Sequence, residues 1–277
     1  METFKVKEKI SSNSTFKIAP FRKHIRKTEP HKHKNYFEII FLWAGSGIHL
    51  IDSTKYEILP PTVFILKKNQ IHAWNITKEP EGYVIIIKDE FIENTRDTEL
   101  KVLFHLFWSI EHLALRKDTM DIRSLFENLL NEFTSEQRFS KMVVEGLLKS
   151  ILGKLLQYQY RYNIDNKYID IYAQFIELII TNKTNTRNLI NYAGQLNISV
   201  QVLNDICKNA TGKSAKKMID EFTISDAKRY LEFSNLTISE IAFKLQFNDS
   251  SYFVKFFKKH EGMTPSLYRE MRFQKLP

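Results

Sequence analysis

The chain has 277 residues, a formal net charge of +9 and 43% apolar residues, which can fill the cores of about two domains. No apolar run is long enough to span a membrane and the N-terminus lacks the apolar core of a signal peptide, so we expect a cytoplasmic protein without membrane contact. A single cysteine, Cys207, excludes an internal disulfide framework and is expected to be a small buried apolar side chain.

The first segment, residues 1–92, has the pattern of short strands joined by tight turns. The predicted strands are 36–43, 48–51, 55–59, 63–66 and 82–87. Gly45 and Gly47 predict a turn between the first two strands. This spacing predicts a small antiparallel barrel or sandwich, and a barrel of this size can enclose one small ligand.

Three histidines and a glutamate in this segment have metal-ligand chemistry: His31, His33, Glu38 and His72. Two imidazoles two residues apart on a strand project to the same side, and a carboxylate would complete a site for a first-row divalent ion. The spacing resembles the two motifs of the cupin fold, which implies that these residues converge inside the barrel. Lys67 and Asn69 depart from that pattern. Metal binding, effector binding and a structural role all stay open, and our prediction is no metal and no cofactor.

Two tryptophans, Trp43 and Trp74, are large enough to line a small-molecule pocket in this barrel. They are equally compatible with an ordinary aromatic core, because aromatic side chains bury large apolar areas wherever they occur. Together with His31, His33, Glu38 and His72, they are the predicted effector-binding residues.

From about residue 97 the apolar spacing becomes helical, with helices predicted near 97–108, 122–133 and 138–162. The third carries an apolar stripe at Phe139, Val143, Leu147, Ile151, Leu155, Tyr158 and Tyr162. The stripe is long enough for two copies to pair, although it could equally pack against its own barrel. We interpret 93–165 as a helical linker and dimerisation segment, which ends at the polar boundary 163–167.

The last segment, 166–277, contains an internal repeat that opens after a helix at 168–181. Ala193 and Leu196 match Ala242 and Leu245 at an offset of 49. An offset of 50 relates Leu203, Ile206, Lys208, Gly212 and Ser214 to Phe253, Phe256, Lys258, Gly262 and Thr264. The repeat therefore predicts two helix-turn-helix units in one chain.

Capping residues fix where the helices of these units begin and end. Thr237 and Glu240 have the spacing of a capping box, so a helix should begin at Ile238. Ser199 and either Asn248 or Asp249 can cap the second helix of each unit. A connecting helix over about 214–233 would be roughly 30 Å long, close to the roughly 34 Å between successive major grooves of DNA.

The C-terminal segment has a distinctive order of residues at Ala227 to Arg229, Ile241, Ala242, Ser251 to Phe253, Lys255, Phe257 to Lys259, Gly262, Thr264, Pro265, Tyr268 and Arg269. These residues closely resemble the signature of the AraC/XylS family of transcription regulators. The resemblance is strong over 186–270 and weaker over 28–75, and Gln246 replaces a usual glycine. It implies an α+β protein with a cupin-like effector-binding barrel and an all-α DNA-binding domain. It also implies double-stranded DNA, RNA polymerase, a small-molecule effector and a second copy of the chain as partners.

Exposed residues of the two units are the predicted DNA contacts. Phosphates are assigned to Lys208, Lys213, Lys258 and Lys259, with Arg269 as a further candidate. Base edges are assigned to Gln201, Asn204 and Asp205 in the first unit and to Ser250, Ser251 and Lys255 in the second. Asp205 stands where the family usually has arginine. The first unit therefore either reads a different base, such as cytosine through its N4 amino group, or contributes little.

Two alternatives from other classes stay open at this point. One is a metal-dependent cupin enzyme joined to a DNA-binding region, and the other is an architectural DNA protein without an effector. No serine–histidine–aspartate set, phosphate-binding loop or nucleophilic cysteine supports catalysis, so we expect the protein not to be an enzyme.

Overall fold

The computed structural model describes residues 5–95, 97–107, 110–115, 119–135, 137–162, 167–181 and 187–273. Within these ranges the protein is α+β, as predicted, with all of its strands in the N-terminal part. The chain divides into two compact bodies, Met1–Asn166 and Lys167–Pro277. Residues 163–166 of the predicted boundary lie outside the described ranges. Among the described helices, none combines the length and the apolar character that a membrane span requires.

The N-terminal body is built on one eight-stranded sheet. Its strands are β1 (Lys5–Val6), β2 (Phe16–Pro20), β3 (His31–Lys32), β4 (Tyr36–Ile51), β5 (Thr54–Glu57), β6 (Thr62–Leu66), β7 (Ile71–Lys88) and β8 (His112–Ala114). The main order is β1-β3-β7-β4-β6-β8, with β2 also paired to β7 and β5 to β4. All pairs are antiparallel except β1 with β3. Because β8 joins β6, the sheet continues beyond residue 92, where the sequence had predicted the barrel to end.

The predicted turn at Gly45 and Gly47 is wrong. β4 passes through both glycines as a single strand, and its register against β7 shifts three times between Leu42 and Gly47. Gly47 has a φ of 142°, and a Cβ there would clash with the carbonyl oxygen of Asn75 on β7. Glycine is therefore required because two backbones approach closely at a bulge, a role that resembles a turn signal in sequence.

The two faces of β4 have different partners, because successive side chains of a strand point to opposite sides. Phe37 and Phe41 pack against helices, with ring centroids 5.6 Å from Phe104 and 5.2 Å from Phe126. The opposite face carries Glu38 and joins a buried cluster of Ile40, Leu42, Ile51, Phe64, Leu66, Trp74 and Ile76. Glu38 therefore lies on the side of β4 away from Phe104 and Phe126 of the helices.

Four helices complete the N-terminal body: α1 (Asp89–Asn94), α2 (Thr98–Phe107), α3 (Met120–Ser135) and α4 (Ser140–Tyr162). The three helices predicted after residue 97 are confirmed, although Trp108 lies outside the described residues. The predicted stripe of α4 is only partly right. Ile151 and Leu155 are buried, but Phe139 is 63% and Val143 44% exposed. The buried face also takes in Val144, Leu148 and Leu152, because α4 packs against both α2 and α3.

The C-terminal body is entirely helical in its described residues. Its helices are α5 (Lys167–Ile180), α6 (Leu189–Gln195), α7 (Val200–Thr211), α8 (Ala215–Phe233), α9 (Ile238–Lys244), α10 (Ser250–Glu261) and α11 (Pro265–Phe273). The capping box of Thr237 and Glu240 is present, and α9 begins at Ile238 as predicted. Ser199 and Asp249 cap α7 and α10 by accepting hydrogen bonds from the amides of Val202 and Tyr252.

Candidate nucleic-acid interface and ligand site

The two helix-turn-helix units have the same backbone plan. The first unit is α6 and α7, the second is α9 and α10, and each pairs a seven-residue helix with a twelve-residue helix. The amides of Ile198 and Phe247 donate to the carbonyls of Ala193 and Ala242, both at 3.0 Å. The second unit has one more residue, Asn248, before its capping aspartate. That extra residue explains why the repeat offset changes from 49 to 50.

Small and apolar side chains hold the helices of each unit together. In the first unit Ala193, Leu203 and Cys207 are buried, and burial raises the pKa of the Cys207 thiol to about 12. Cys207 is therefore an apolar core residue, as predicted. In the second unit Ala242 and Phe253 are fully buried. Tyr252 does not join this core, since its side chain is 58% exposed.

The predicted base-reading residues of α7 are largely engaged within the protein. The amide of Gln201 donates to the Asp205 carboxylate at 3.0 and 3.2 Å, and both side chains are exposed. Asn204 does not project freely, because it is half-buried and its Oδ1 accepts from the Ala215 amide at the start of α8. Asn204 thus connects α7 to α8.

Three of the predicted cationic contacts also differ in their surroundings. Lys208 is exposed on α7. Lys213 is only half-exposed and donates to Glu221 Oε2 at 2.8 Å. Arg269 donates through Nε and Nη2 to the carbonyls of Leu231 and Leu236, so it connects α8 to the start of α9.

The outer face of α10 is cationic. Ser251, Lys255, Lys258 and Lys259 are exposed and Ser250 is half-exposed. Among the described residues, none of these three lysines forms an ion pair with an acidic side chain. Lys255 occupies the position that Asp205 occupies in the first unit. The two units therefore present opposite charges at equivalent positions.

Arg187 is a connecting residue that the sequence did not reveal. Its guanidinium lies 3.9 Å from the ring centre of Phe247 and 4.2 Å from that of Phe256, both in the second unit. It also donates to Asp220 Oδ1 on α8 at 3.2 Å. Burial lowers its pKa, and the nearby Asp220 opposes that shift. Arg187 directly precedes the cap of α6, so it ties the start of the first unit to the core of the second.

In the N-terminal body, the predicted histidines and glutamate converge on one face of the sheet. Potential ligand atoms of His31, His33 and His72 all lie within 4.8 Å of one another, and all three side chains are buried. His33 Nε2 is 3.1 Å from His72 Nε2 and 3.5 Å from Glu38 Oε1. Glu38 is fully buried, and it pairs with Lys9 on the N-terminal segment. We call His31, His33, Glu38 and His72 the histidine cluster.

A fourth histidine, His49, extends this cluster and was not predicted as a site residue. Its Nε2 is 3.1 Å from His72 Nδ1, and its ring stacks on Trp74 with centroids 3.5 Å apart. His49 lies on β4 directly opposite Trp74 on β7. The sequence signal was weak, because the register shifts between β4 and β7 before Gly47 decide which residues become neighbours.

Burial disfavours the charged form of every imidazole in the extended cluster, so each pKa is lowered. Burial lowers the pKa of His31 to about 4, although the hydrogen bond with the Glu29 carbonyl opposes the shift. Burial is also the largest cause that lowers the pKa values of His33, His49 and His72. Neutral imidazoles can accept hydrogen bonds from an organic ligand or donate lone pairs to a metal ion.

Trp43 does not belong to this site. Its ring packs against Phe41 and Tyr83 at centroid distances of 5.7 and 5.0 Å, and the guanidinium of Arg123 on α3 covers it at 4.4 Å. Trp43 lies on the helix-facing side of β4, opposite to Glu38. The prediction that both tryptophans line one pocket is therefore wrong for Trp43, and Trp74 alone adjoins the histidines.

Comparison with protein families gives matches to both bodies. Residues 18–152 match the model of the AraC-like ligand binding domain, and residues 192–271 match that of a helix-turn-helix domain. The chain belongs to the AraC family of transcription regulators. It is a DNA-binding transcription regulator with an N-terminal ligand-binding domain.

Relatives of this AraC-family chain include two activators named RhaR. The protein of Pectobacterium atrosepticum is 24% identical over 253 residues, covering 90% of this chain and 88% of its own. The protein of Salmonella arizonae is 22% identical over 254 residues, covering 88% of both chains. Among solved structures, ToxT from Vibrio cholerae gives a TM-score of 0.37 at 18% identity, covering 93% of this chain and 99% of that one.

Proposed function

We propose that this AraC-family regulator reads a non-palindromic DNA site with both helix-turn-helix units of one chain, and that the second unit supplies most of the affinity. The charge difference between α7 and α10 supports the second part. α10 carries three lysines and one glutamate, whereas α7 carries one lysine and one aspartate. Because phosphate contacts dominate affinity for DNA, the more cationic helix should contribute more.

The proposed contacts divide into positioning and reading. Lys258 and Lys259 hold phosphates, and Lys208 does so in the first unit. Ser251 and Lys255, near the start of α10, face base edges, where a lysine suits the acceptors of guanine. In the first unit Gln201 and Asp205 remain candidates for base contact, whereas Asn204 and Lys213 act within the protein.

The length of α8, which connects the two units, supports the reading of an asymmetric site. α8 has 19 residues, so it is about 28 Å long at 1.5 Å per residue. Arg187 adds a second connection between the units, through Phe247 and Phe256. Two reading helices held in fixed register fit successive major grooves on one side of the duplex.

For the effector, we propose the face of the sheet that carries His31, His33, Glu38, His49, His72 and Trp74. These side chains are buried and close together, and convergent polar groups beside an aromatic side chain can fix the orientation of a small ligand. We further propose that effector binding changes how the DNA-binding domain is presented, and that RNA polymerase is the partner on the promoter. The relatives' name as transcriptional activators supports a cytoplasmic regulator that is not an enzyme.

A homodimer is proposed through the start of α4, where Phe139, Met142 and Val143 are exposed together. Exposed apolar side chains at neighbouring helical positions favour association with another apolar surface. Sedimentation of the full chain and of Met142→Glu tests this proposal, with Met271→Glu as a control on α11. A monomer at high concentration before any substitution would contradict it.

Selection of bound sequences from a random DNA pool tests the central proposal. We expect an enriched site with two unlike halves about 10 base pairs apart. The half-site that depends on Lys255 should be the more strongly conserved among selected sequences. A palindromic site, or no enrichment over the starting pool, would contradict the proposed mode of reading.

A further inference from the structure

The histidine cluster has the arrangement of ligands around a single cation. With metal–ligand bonds of about 2.0–2.2 Å, two ligand atoms on one ion lie roughly 3 to 3.5 Å apart. His33 Nε2 is 3.1 Å from His72 Nε2 and 3.5 Å from Glu38 Oε1. The His31 ring also lies close, with its centroid 4.3 Å from that of His72. Four potential donors, on β3, β4, β7 and the residue after β3, therefore lie near one another, and ligand atoms of the three histidines fall within 4.8 Å of each other.

In each of the three histidines, Nδ1 already lies within hydrogen-bonding distance of a partner. His31 Nδ1 is 2.8 Å from the Glu29 carbonyl, and His33 Nδ1 is 2.7 Å from the Lys7 carbonyl. His72 Nδ1 is 3.1 Å from His49 Nε2. A metal-ligating histidine usually donates its other N–H to a carbonyl or similar acceptor, which fixes the tautomer and ring direction. In each case the remaining nitrogen is Nε2.

Glu38 provides an independent sign that a cation belongs here. It is fully buried, and Lys9 Nζ lies 2.9 Å from each of its carboxylate oxygens. Only Oε2 accepts that contact as a hydrogen bond, and Oε1 accepts none from the described residues. A buried carboxylate oxygen without a hydrogen-bond donor is costly, and it points at His33. Bound metal would satisfy it.

We propose that the histidine cluster binds one divalent first-row transition-metal cation, through Nε2 of His31, His33 and His72 and Oε1 of Glu38. This proposal deepens the effector site and rests on the proposed function of that face. It also revises the sequence-based prediction that the chain holds no metal. Three imidazoles and one carboxylate suit zinc, iron, cobalt or nickel, whereas magnesium and calcium prefer oxygen ligands.

Lys9 and the cation compete for Glu38. The lysine ammonium neutralises the carboxylate in the present arrangement, so a dication bound at Oε1 must displace or weaken that ion pair. Removing the ammonium should therefore raise metal affinity, by roughly tenfold or more if the ion pair is worth what charged hydrogen bonds usually contribute. Lys9 extends from the segment between β1 and β2, so metal binding would change the contacts of this segment.

Titration of chelator-treated full-length protein with Co²⁺ tests the site, because the visible spectrum reports the number and kind of ligands. We expect one equivalent bound per chain, with Zn²⁺ displacing it. Glu38→Gln and His72→Asn should lower the affinity at least tenfold, while His24→Ala, an exposed histidine of the same body, should leave it unchanged. Affinity that is equal in all four proteins, or binding below half an equivalent, would overturn the proposal.

A variant with higher metal affinity serves as a further test, because misfolding could lower the affinity but would not raise it. Lys9→Met should bind Co²⁺ roughly tenfold more tightly, and Lys5→Met, on the preceding strand β1 and exposed, should not. No gain at Lys9 would overturn the competition with Glu38. DNA selection with the chelator-treated protein distinguishes failure of this proposal from failure of the proposed function. If an asymmetric site is selected but no metal binds, the proposed DNA reading is supported and only the metal inference is wrong.

Discussion

The two helix-turn-helix units differ in surface chemistry far more than in backbone. Both have helices of seven and twelve residues, a left-handed residue in the turn and a left-handed glycine at the end of the second helix. Yet Asp205 in the first unit corresponds to Lys255 in the second. The positions that hold the fold are duplicated. The outward position of Asp205 and Lys255 has diverged in charge, whereas the outward lysines Lys208 and Lys258 still correspond. One unit can therefore specialise in affinity while the other adjusts sequence choice.

The largest expected effect comes from replacing Arg187, which connects the two units. Arg187→Met removes the ion pair with Asp220 and the cation–π contacts with Phe247 and Phe256. We expect a loss of about 2–3 kcal/mol in the free energy of unfolding of the C-terminal body, because a largely buried charge pair is broken. Urea denaturation of the full chain measures it.

The matched control for Arg187 is Arg229→Met. Arg229 is half-exposed and pairs with Asp226 on the same helix, so its loss should cost well under 1 kcal/mol. A similar loss for both variants would show that Arg187 does not connect the units. Arg187→Met should also accept a wider range of spacings between the two DNA half-sites.

The next effect concerns the second unit alone. Lys255→Ala should weaken specific binding by about 1–3 kcal/mol and relax base choice in one half-site. Lys258→Ala should weaken binding to all sequences more evenly and lower the salt dependence by about one phosphate contact. Binding measured against the selected site and against scrambled DNA distinguishes the two. Unchanged selectivity after Lys255→Ala would remove this residue from direct base reading.

Local signals in the sequence predicted the repeated units well. The capping box at Thr237, the cap at Ser199 and the left-handed Gly212 are short-range features, so neighbouring residues determine them. The connecting helix was also predicted to within one residue. Long-range packing was not accessible in this way. Arg187 finds its aromatic partners some sixty residues away, and nothing near it in sequence marks that contact.

The same distinction holds in the N-terminal body. The motif residues His31, His33, Glu38 and His72 were found by spacing, and the structure brings them together. His49 and Lys9 were missed, because the position of His49 depends on register shifts between β4 and β7, and Lys9 reaches Glu38 from a segment distant in sequence. Trp43 was assigned to the wrong face, since the sequence could not show which side of β4 the helices cover.

The turn residues of the two units offer a further test. Gln246 and Asn197 have φ values of 61° and 53°, so both occupy the left-handed region. Asparagine tolerates this region, whereas glutamine carries a steric cost. Gln246→Gly should therefore stabilise the protein by about 1 kcal/mol, and Asn197→Gly should change stability by only a few tenths. Thermal unfolding of both variants measures the difference, and equal shifts would contradict this account of the turn.

The smallest expected effect makes the first unit resemble the second. Asp205→Lys replaces a carboxylate that repels phosphate with a cation at the position equivalent to Lys255. Because this position is exposed to solvent, the substitution should strengthen binding to all sequences by about 1 kcal/mol. It should also increase the salt dependence of the DNA affinity by about one phosphate contact. Asp205→Ala separates the two causes, because it removes the repulsion, and the bond to Gln201, without adding a cation. If both variants instead lost affinity only for sites with one particular base at one position, Asp205 would be the residue that reads that base.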